Sequence, residues 1–294
     1  MINNGRGTPS GFLVPNDNIP NNVKQPDEKQ ILKKEYIDQI KFTGKHEYRN
    51  ETGNLIGYVI NAENKKDGSE FQIPVSWCYN IKTDSNCWVV DSFNDNGKVP
   101  IYGVEKLADS NKTVLIVGNE KAADGASKLL PEYDVISWLG DSKTAAMVDW
   151  NRLDGKNVII WPDNEPAGIK AGQRISDQLH YNKEFFGMKV GYHLVDIKNM
   201  SLDKNWMNLS DPLPNGVKIS NLKLLLNKAE IECKEFNIVR ESESIKNSPK
   251  PETLKTNSEL SPNQNHVSNE IKKVNSTTGL PDPQQNFAPS RSGR

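Results

Sequence analysis

Long apolar runs are missing from this chain of 294 residues. No window approaches the roughly 20 apolar residues that cross a bilayer, which argues against a membrane-spanning protein. The amino-terminal stretch "MINNGRGTPSGFLVPNDN" also lacks the apolar core of a secretory signal, so the expectation is a soluble, cytoplasmic protein. Charge of one sign is missing too: 37 Lys and Arg nearly offset 38 Asp and Glu, leaving a formal net charge of −1. No global field draws such a chain to nucleic acid, and binding of that kind has to come from a local patch. Cysteine is scarce. Cys78, Cys87 and Cys233 are too few and too widely spaced for a four-coordinate zinc site, and reduced thiols are expected. Neither a zinc-binding module nor a nucleotide-hydrolysing P-loop is present. Apolar residues make up only 35% of the chain, low for a sequence folded throughout, so part of it is expected to stay unfolded.

What is present falls into four stretches. Residues 1–30 are rich in Asn, Pro, Gly and Asp without helical or strand period, and read as a disordered lead-in. Over 31–108 the segments "LIGYVINA", "FQIPVSW" and "NCWVVDSF" alternate with turn clusters such as "NKKDGSE", the pattern of a small antiparallel β-rich unit. From 109 to 240 short apolar strands alternate with helices: 113–117, 133–138, 157–161 and 188–196 as strands, with Ala122, Ala123, Ala126, Leu129 and Leu130 on one helical face and Ile169, Ile175 and Leu179 on another. Such alternation predicts an α/β fold, a parallel sheet with helices on both faces. Leu222, Leu225, Leu226, Ala229 and Cys233 predict an amphipathic helix over 219–236. Residues 241–294 are Ser, Asn, Pro and Lys with scattered apolar residues, a disordered tail by composition.

The most informative stretch is "NVIIWPDNEPAG" at 157–168, where an apolar strand runs straight into two carboxylates. In an open α/β sheet the carboxyl ends of the strands border the ligand crevice. Asp163 and Glu165 occupy alternate positions of an extended segment, which lets both point to one side and offers hard oxygen ligands to a divalent cation. The same residues equally describe a solvated turn, with an Asx side chain capping the next helix and Pro166 in its first turn.

Three motifs in order resolve the choice by resemblance. "VLIVGNEKAAD", "GDSK" and "WPDNEPAG" resemble the Toprim domain of plasmid and phage primase-type and primase-helicase proteins. That family carries a Glu-Gly-Glu-Lys-Ala-Ala-Asp turn and helix, a Gly-Gly-Ser-Lys turn and a Trp-Pro-Asp-x-Asp strand end. The upstream segment from "EYRNETGNLIGYVI" to "IYGVEKL" is similar to the β-rich piece that precedes Toprim there, so the likeness covers about residues 45–215. It implies Mg²⁺, with Mn²⁺ as substitute, held by Asp163, Glu165 and, in "NWMNLSDPLP", Asp211. It implies phosphate contacts for Lys121 and Lys143, and nucleotides or single-stranded DNA as partners alongside a helicase or other replication protein. It also implies a general acid or base at the position held here by Gly118, which has no side chain to move a proton. Glu120, two residues on, is the candidate substitute, although a carboxylate there equally stabilises the start of a helix. Asn119, Glu165 and Asn208 also depart from the family pattern, the mark of an eroding site.

Two readings therefore stay open: a Mg²⁺-dependent nucleotidyltransferase using Glu120, and a catalytically inactive module that binds nucleic acid or a replication protein. A dinucleotide-binding unit is disfavoured, since "GNEKAAD" lacks the glycine spacing that pyrophosphate requires. Trp77, Trp88, Trp138 and Trp161 sit in strand contexts that favour core packing over base stacking. His180 and His193 belong to no motif, and packing or exposure is expected of them.

Overall fold

Two sheets account for the strands in this computed structural model, which describes residues 13–16, 19–20, 22–90, 98–140, 142–200 and 206–246. The first is antiparallel and contains β1 (Leu13–Pro15), β2 (Ile40–Arg49), β3 (Leu55–Asn64), β4 (Glu70–Asn80) and β5 (Ser85–Val90). Two one-turn helices, α1 (Glu28–Ile31) and α2 (Lys34–Ile37), lead into β2. Part of the stretch read as a lead-in is thus ordered. Leu13–Pro15 pair with Cys78–Asn80 of β4. A reciprocal cap joins Asp27 and Gln30: the Gln30 N–H donates to Asp27 Oδ1 at 3.0 Å and the Asp27 N–H to Gln30 Oε1 at 3.2 Å.

The second sheet holds β6 (Ile101–Tyr102), β7 (Val114–Val117), β8 (Asp134–Trp138), β9 (Asn157–Trp161) and β10 (Gly191–Leu194) in the order β10-β9-β7-β8-β6. All its pairings are parallel except that of β6 with β8. β6 precedes the boundary at 109 that the sequence suggests. It is a two-residue antiparallel edge, too short to carry a periodic signal.

Strand residues alternate between two cores, as a sheet covered on both faces requires. Val114, Ile116, Ile136, Val158 and Ile160 pack under α4 (Pro166–Phe186) with its Ala171, Ile175 and Leu179. Leu115, Val117, Val135, Ile159 and Trp161 pack under α3 (Glu120–Leu129) and α5 (Ile219–Lys246). Each such aliphatic side chain withdrawn from water contributes about 1.5–3 kcal/mol. Helices cover both faces of a parallel sheet, the α/β class read from the sequence.

On α5, Leu222, Leu226, Ala229 and Cys233 are buried, but Leu225 is exposed, turned off the buried stripe toward Leu224. The helix also continues to Lys246, past the limit of 240 expected for the folded part. Residues 247–294 of the expected tail lie outside the described residues.

The β-rich sheet has its own core on one face, built on Ile60, Ile73, Val75 and Trp88. Its opposite face presents Tyr48 and Val59, which pack with Leu139 from the end of β8. Both sheets belong to one compact unit, Met1–Ser248. No helix among the described residues is long and apolar enough to cross a membrane.

Candidate functional site

Parallel pairing in register brings the carboxyl ends of β7, β8 and β9 to one edge. Val117 stands beside Trp161, and Ile116 beside Ile136. Gly118 and Asn119 leave β7 there, Lys143 lies in the turn after β8, and Asp163 leaves β9. This is the crevice edge of an open α/β sheet.

The Asp163 carboxyl group lies in the space that a side chain at position 118 would need. A Cβ built on Gly118 would stand 2.3 Å from Asp163 Oδ2 and 2.5 Å from its Cγ. Gly168, in the first turn of α4, clears the other side, since a Cβ there would meet Asp163 Cβ and its carbonyl oxygen at 2.7 Å. Two glycines thus cradle one acid. The Asn119 amide donates to Asp163 Oδ2 at 3.3 Å, whereas Oδ1 is buried with no hydrogen-bond partner. Burial pushes the Asp163 pKa up to about 6; the Asn208 and Asn119 amides pull it down, and the charges of Glu165 and Asp211 push it further up.

The simple turn reading of Asp-Asn-Glu-Pro holds only for the proline. Pro166 does occupy the start of α4, but the cap residue is Glu165, exposed and with no side-chain bond to the helix. Asn164 turns away, donating from Nδ2 to Trp206 O at 2.9 Å, while its N–H donates to Met207 O at 2.7 Å. Asp211 is occupied nearby: its Oδ2 accepts the N–H groups of Met207 at 2.9 Å and Asn208 at 3.2 Å. Asn208 closes the same loop by accepting Ser210 N–H at 3.0 Å and Ser210 hydroxyl at 2.7 Å.

Asp163, Glu165 and Asp211 are near enough for their charges to be felt at Asp163. Coordination is more demanding: oxygens must converge at about 2.0–2.1 Å on one Mg²⁺. Among the described residues, no group of three or more His, Cys, Asp or Glu side chains is arranged to hold a metal ion. The orphaned Oδ1 of Asp163 is one suitable donor, but Glu165 points to solvent and Asp211 is tied to backbone. As arranged, this donor set does not fit the family's Mg²⁺ site.

Glu120 is not at this edge. It is 1% exposed and faces the β-rich sheet, where Oε1 accepts the Tyr48 hydroxyl at 2.6 Å and Oε2 accepts Gln72 Nε2 at 3.1 Å. Both oxygens of Glu120, the candidate substitute for a base at 118, are thus hydrogen-bonded within the seam. Asp124, one turn along α3, joins the same seam through His46 Nδ1 at 3.0 Å and the Tyr102 hydroxyl at 2.8 Å. The Asn61 amide lies 2.9 Å from His46 Nε2, and taking it as the donor assigns the imidazole proton to Nδ1, facing Asp124. Burial works against the Asp124 charge, yet the His46 and Tyr102 hydrogen bonds hold its pKa below the ordinary carboxylate value. Tyr48 is pushed well above the usual phenol range by burial and by Glu120.

Lys121 is exposed on α3 and Lys143 exposed after β8. Trp88, Trp138 and Trp161 are buried, and Trp77 packs its ring 4.9 Å from that of Trp88, the core role expected. His193 is held by Glu232 of α5 at 2.7 Å, and His180 is exposed. Tyr48, Asn61, Gln72 and Tyr102 had no sequence signal beyond His46 and Tyr48 sharing a strand face at i and i+2.

No protein-family model matches this chain, and neither does any curated protein. Among known structures it is similar to the primase fragment of the bacteriophage T7 primase-helicase, at 16% identity over 45% of this chain and 47% of that one, with a TM-score of 0.31. It is similar to the DnaG catalytic core at 15% identity over 64% of this chain and 51% of that one, TM-score 0.35. A DNA primase domain from Pseudomonas aeruginosa aligns at 12% identity over 64% of this chain and 49% of the other, TM-score 0.34. The chain thus spans about half the length of each of these three.

Proposed function

We propose that this chain is a Toprim-type, primase-like protein of a mobile genetic element that has lost nucleotidyl transfer and persists as a module binding single-stranded DNA beside a replication partner. The lineage rests on three motifs in family order, two of which lie at neighbouring strand ends of a parallel sheet while the third follows the strand between them and the edge. The loss of catalysis rests on one observation above the others: the Asp163 carboxyl group fills the place of the missing side chain at Gly118. A general base must lie within hydrogen-bond reach of the proton it takes. Position 118 has no group to offer, and Glu120 is bonded to Tyr48 and Gln72.

The test is primer synthesis on single-stranded DNA with Mg²⁺ or Mn²⁺, together with binding of the same DNA followed by fluorescence anisotropy. The wild type is expected to bind DNA and to make no primers, and Asp163→Ala to leave binding unchanged. Primers made by the wild type and lost in Asp163→Ala would overturn the loss of catalysis. Failure to bind single-stranded DNA would overturn the binding role.

A further inference from the structure

β4 and β5 pair antiparallel with Trp77 opposite Trp88 and Cys78 opposite Cys87. Opposed residues share a sheet face and successive residues alternate, so the two tryptophans lie on one face and the two cysteines on the other. The tryptophan rings stand 4.9 Å apart and belong to the core of the β-rich sheet. A one-residue slip would break that contact, which pins the register that places the thiols together. Opposed Cα atoms in an antiparallel pair lie about 4.5 or about 5.5 Å apart, depending on whether the pair is hydrogen-bonded. Both values fall within the span of roughly 4.4–6.8 Å that a disulfide bridges.

The two cysteines differ in access: Cys78 is 1% exposed, whereas Cys87 is only partly buried. The third cysteine behaves differently from both. Cys233 is fully buried on α5, its thiol donates to Val158 O at 3.3 Å, and burial pushes its pKa up to about 12. It is an internal reference for an unreactive thiol.

We propose that Cys78 and Cys87 form a dithiol site that reacts with low-molecular-weight disulfides, Cys87 attacking and Cys78 resolving. The Cys87 thiolate attacks one sulfur of the small disulfide; a protein–small-molecule disulfide forms and one small thiolate leaves. The Cys78 thiolate then attacks the Cys87 sulfur, forming the bond between the two cysteines and releasing the second small thiolate. Two electrons pass from the cysteines to the small disulfide, and the two thiol protons pass to solvent or to the released thiolates. The product is a covalent rung on β5, which among the described strands pairs with β4 alone.

The experiment incubates the native full-length chain with glutathione disulfide, blocks remaining thiols and maps peptides by mass spectrometry without reduction. The expected result is a Cys78–Cys87 peptide lighter by two hydrogens, with Cys233 still a thiol. Cys78→Ala should instead accumulate glutathione on Cys87, and Cys87→Ala should stay unmodified while folded. Because Cys78 is buried and its variant could unfold, the wild-type map decides alone. Glutathione retained on Cys87 in the wild type, a disulfide to Cys233, or no reaction before unfolding would each overturn the proposal.

Discussion

The acids along the seam between the sheets and the acid at the strand-end edge are treated in opposite ways. At the seam, Glu120 and Asp124 each have both oxygens bonded, to Tyr48 and Gln72 and to His46 and Tyr102. At the edge, Asp163 keeps one buried oxygen without a partner and sits next to two further negative charges. A buried carboxylate with its hydrogen bonds complete holds structure together; one left incomplete costs stability. The difference separates Glu120 and Asp124, which join the two sheets, from Asp163, whose hydrogen bonds are incomplete.

The sharpest way to break the comparison is to fill position 118. Gly118→Glu sets a new side chain and a second negative charge against Asp163, and is expected to destabilise by about 4 kcal/mol in denaturant unfolding. Pairing it with Asp163→Gly should recover much of that loss, a coupling that a double-mutant cycle would measure. Glu120→Ala strands the buried Tyr48 hydroxyl in the seam, with an expected loss of about 2 kcal/mol. Asp163→Asn should go the other way. A folded pKa near 6, raised from 3.8, makes the contribution of Asp163 to stability full below about pH 4 and lost as pH rises through 6. The asparagine variant avoids that loss, so it should gain about 1–3 kcal/mol at pH 8 and nothing at pH 4. In thermal unfolding this reads as roughly 2–4 °C per kcal/mol. Lys143→Ala, exposed at the same edge, should stay within about 0.5 kcal/mol of the wild type.

The α/β core was legible in the sequence because its strands at 114–117, 134–138 and 157–161 are short, mostly apolar and separated by helices with clear faces. β2 was harder to read. The residues it buries at the seam, His46 and Tyr48, are polar or aromatic, and the acids they bond explain the burial of their polar atoms. Glu120 lies 72 positions from Tyr48, and Asp124 lies 78 from His46. Periodicity reports which face of an element is buried, never which distant side chain covers it. That limit made Glu120 look available for chemistry. The edge was half legible: the position of Asp163 followed from strand order, but its occupation of the space at Gly118 is a matter of side-chain rotation, which no pattern of residue types encodes.

Carboxyl-carbon NMR titration of Asp163 in the wild type tests the central claim most directly. A carboxyl group turned inward against Gly118 should titrate near pH 6. A midpoint at or below about 4, the ordinary aspartate range, would mean that the group stands in water, and the reading of a filled and silenced site would be wrong.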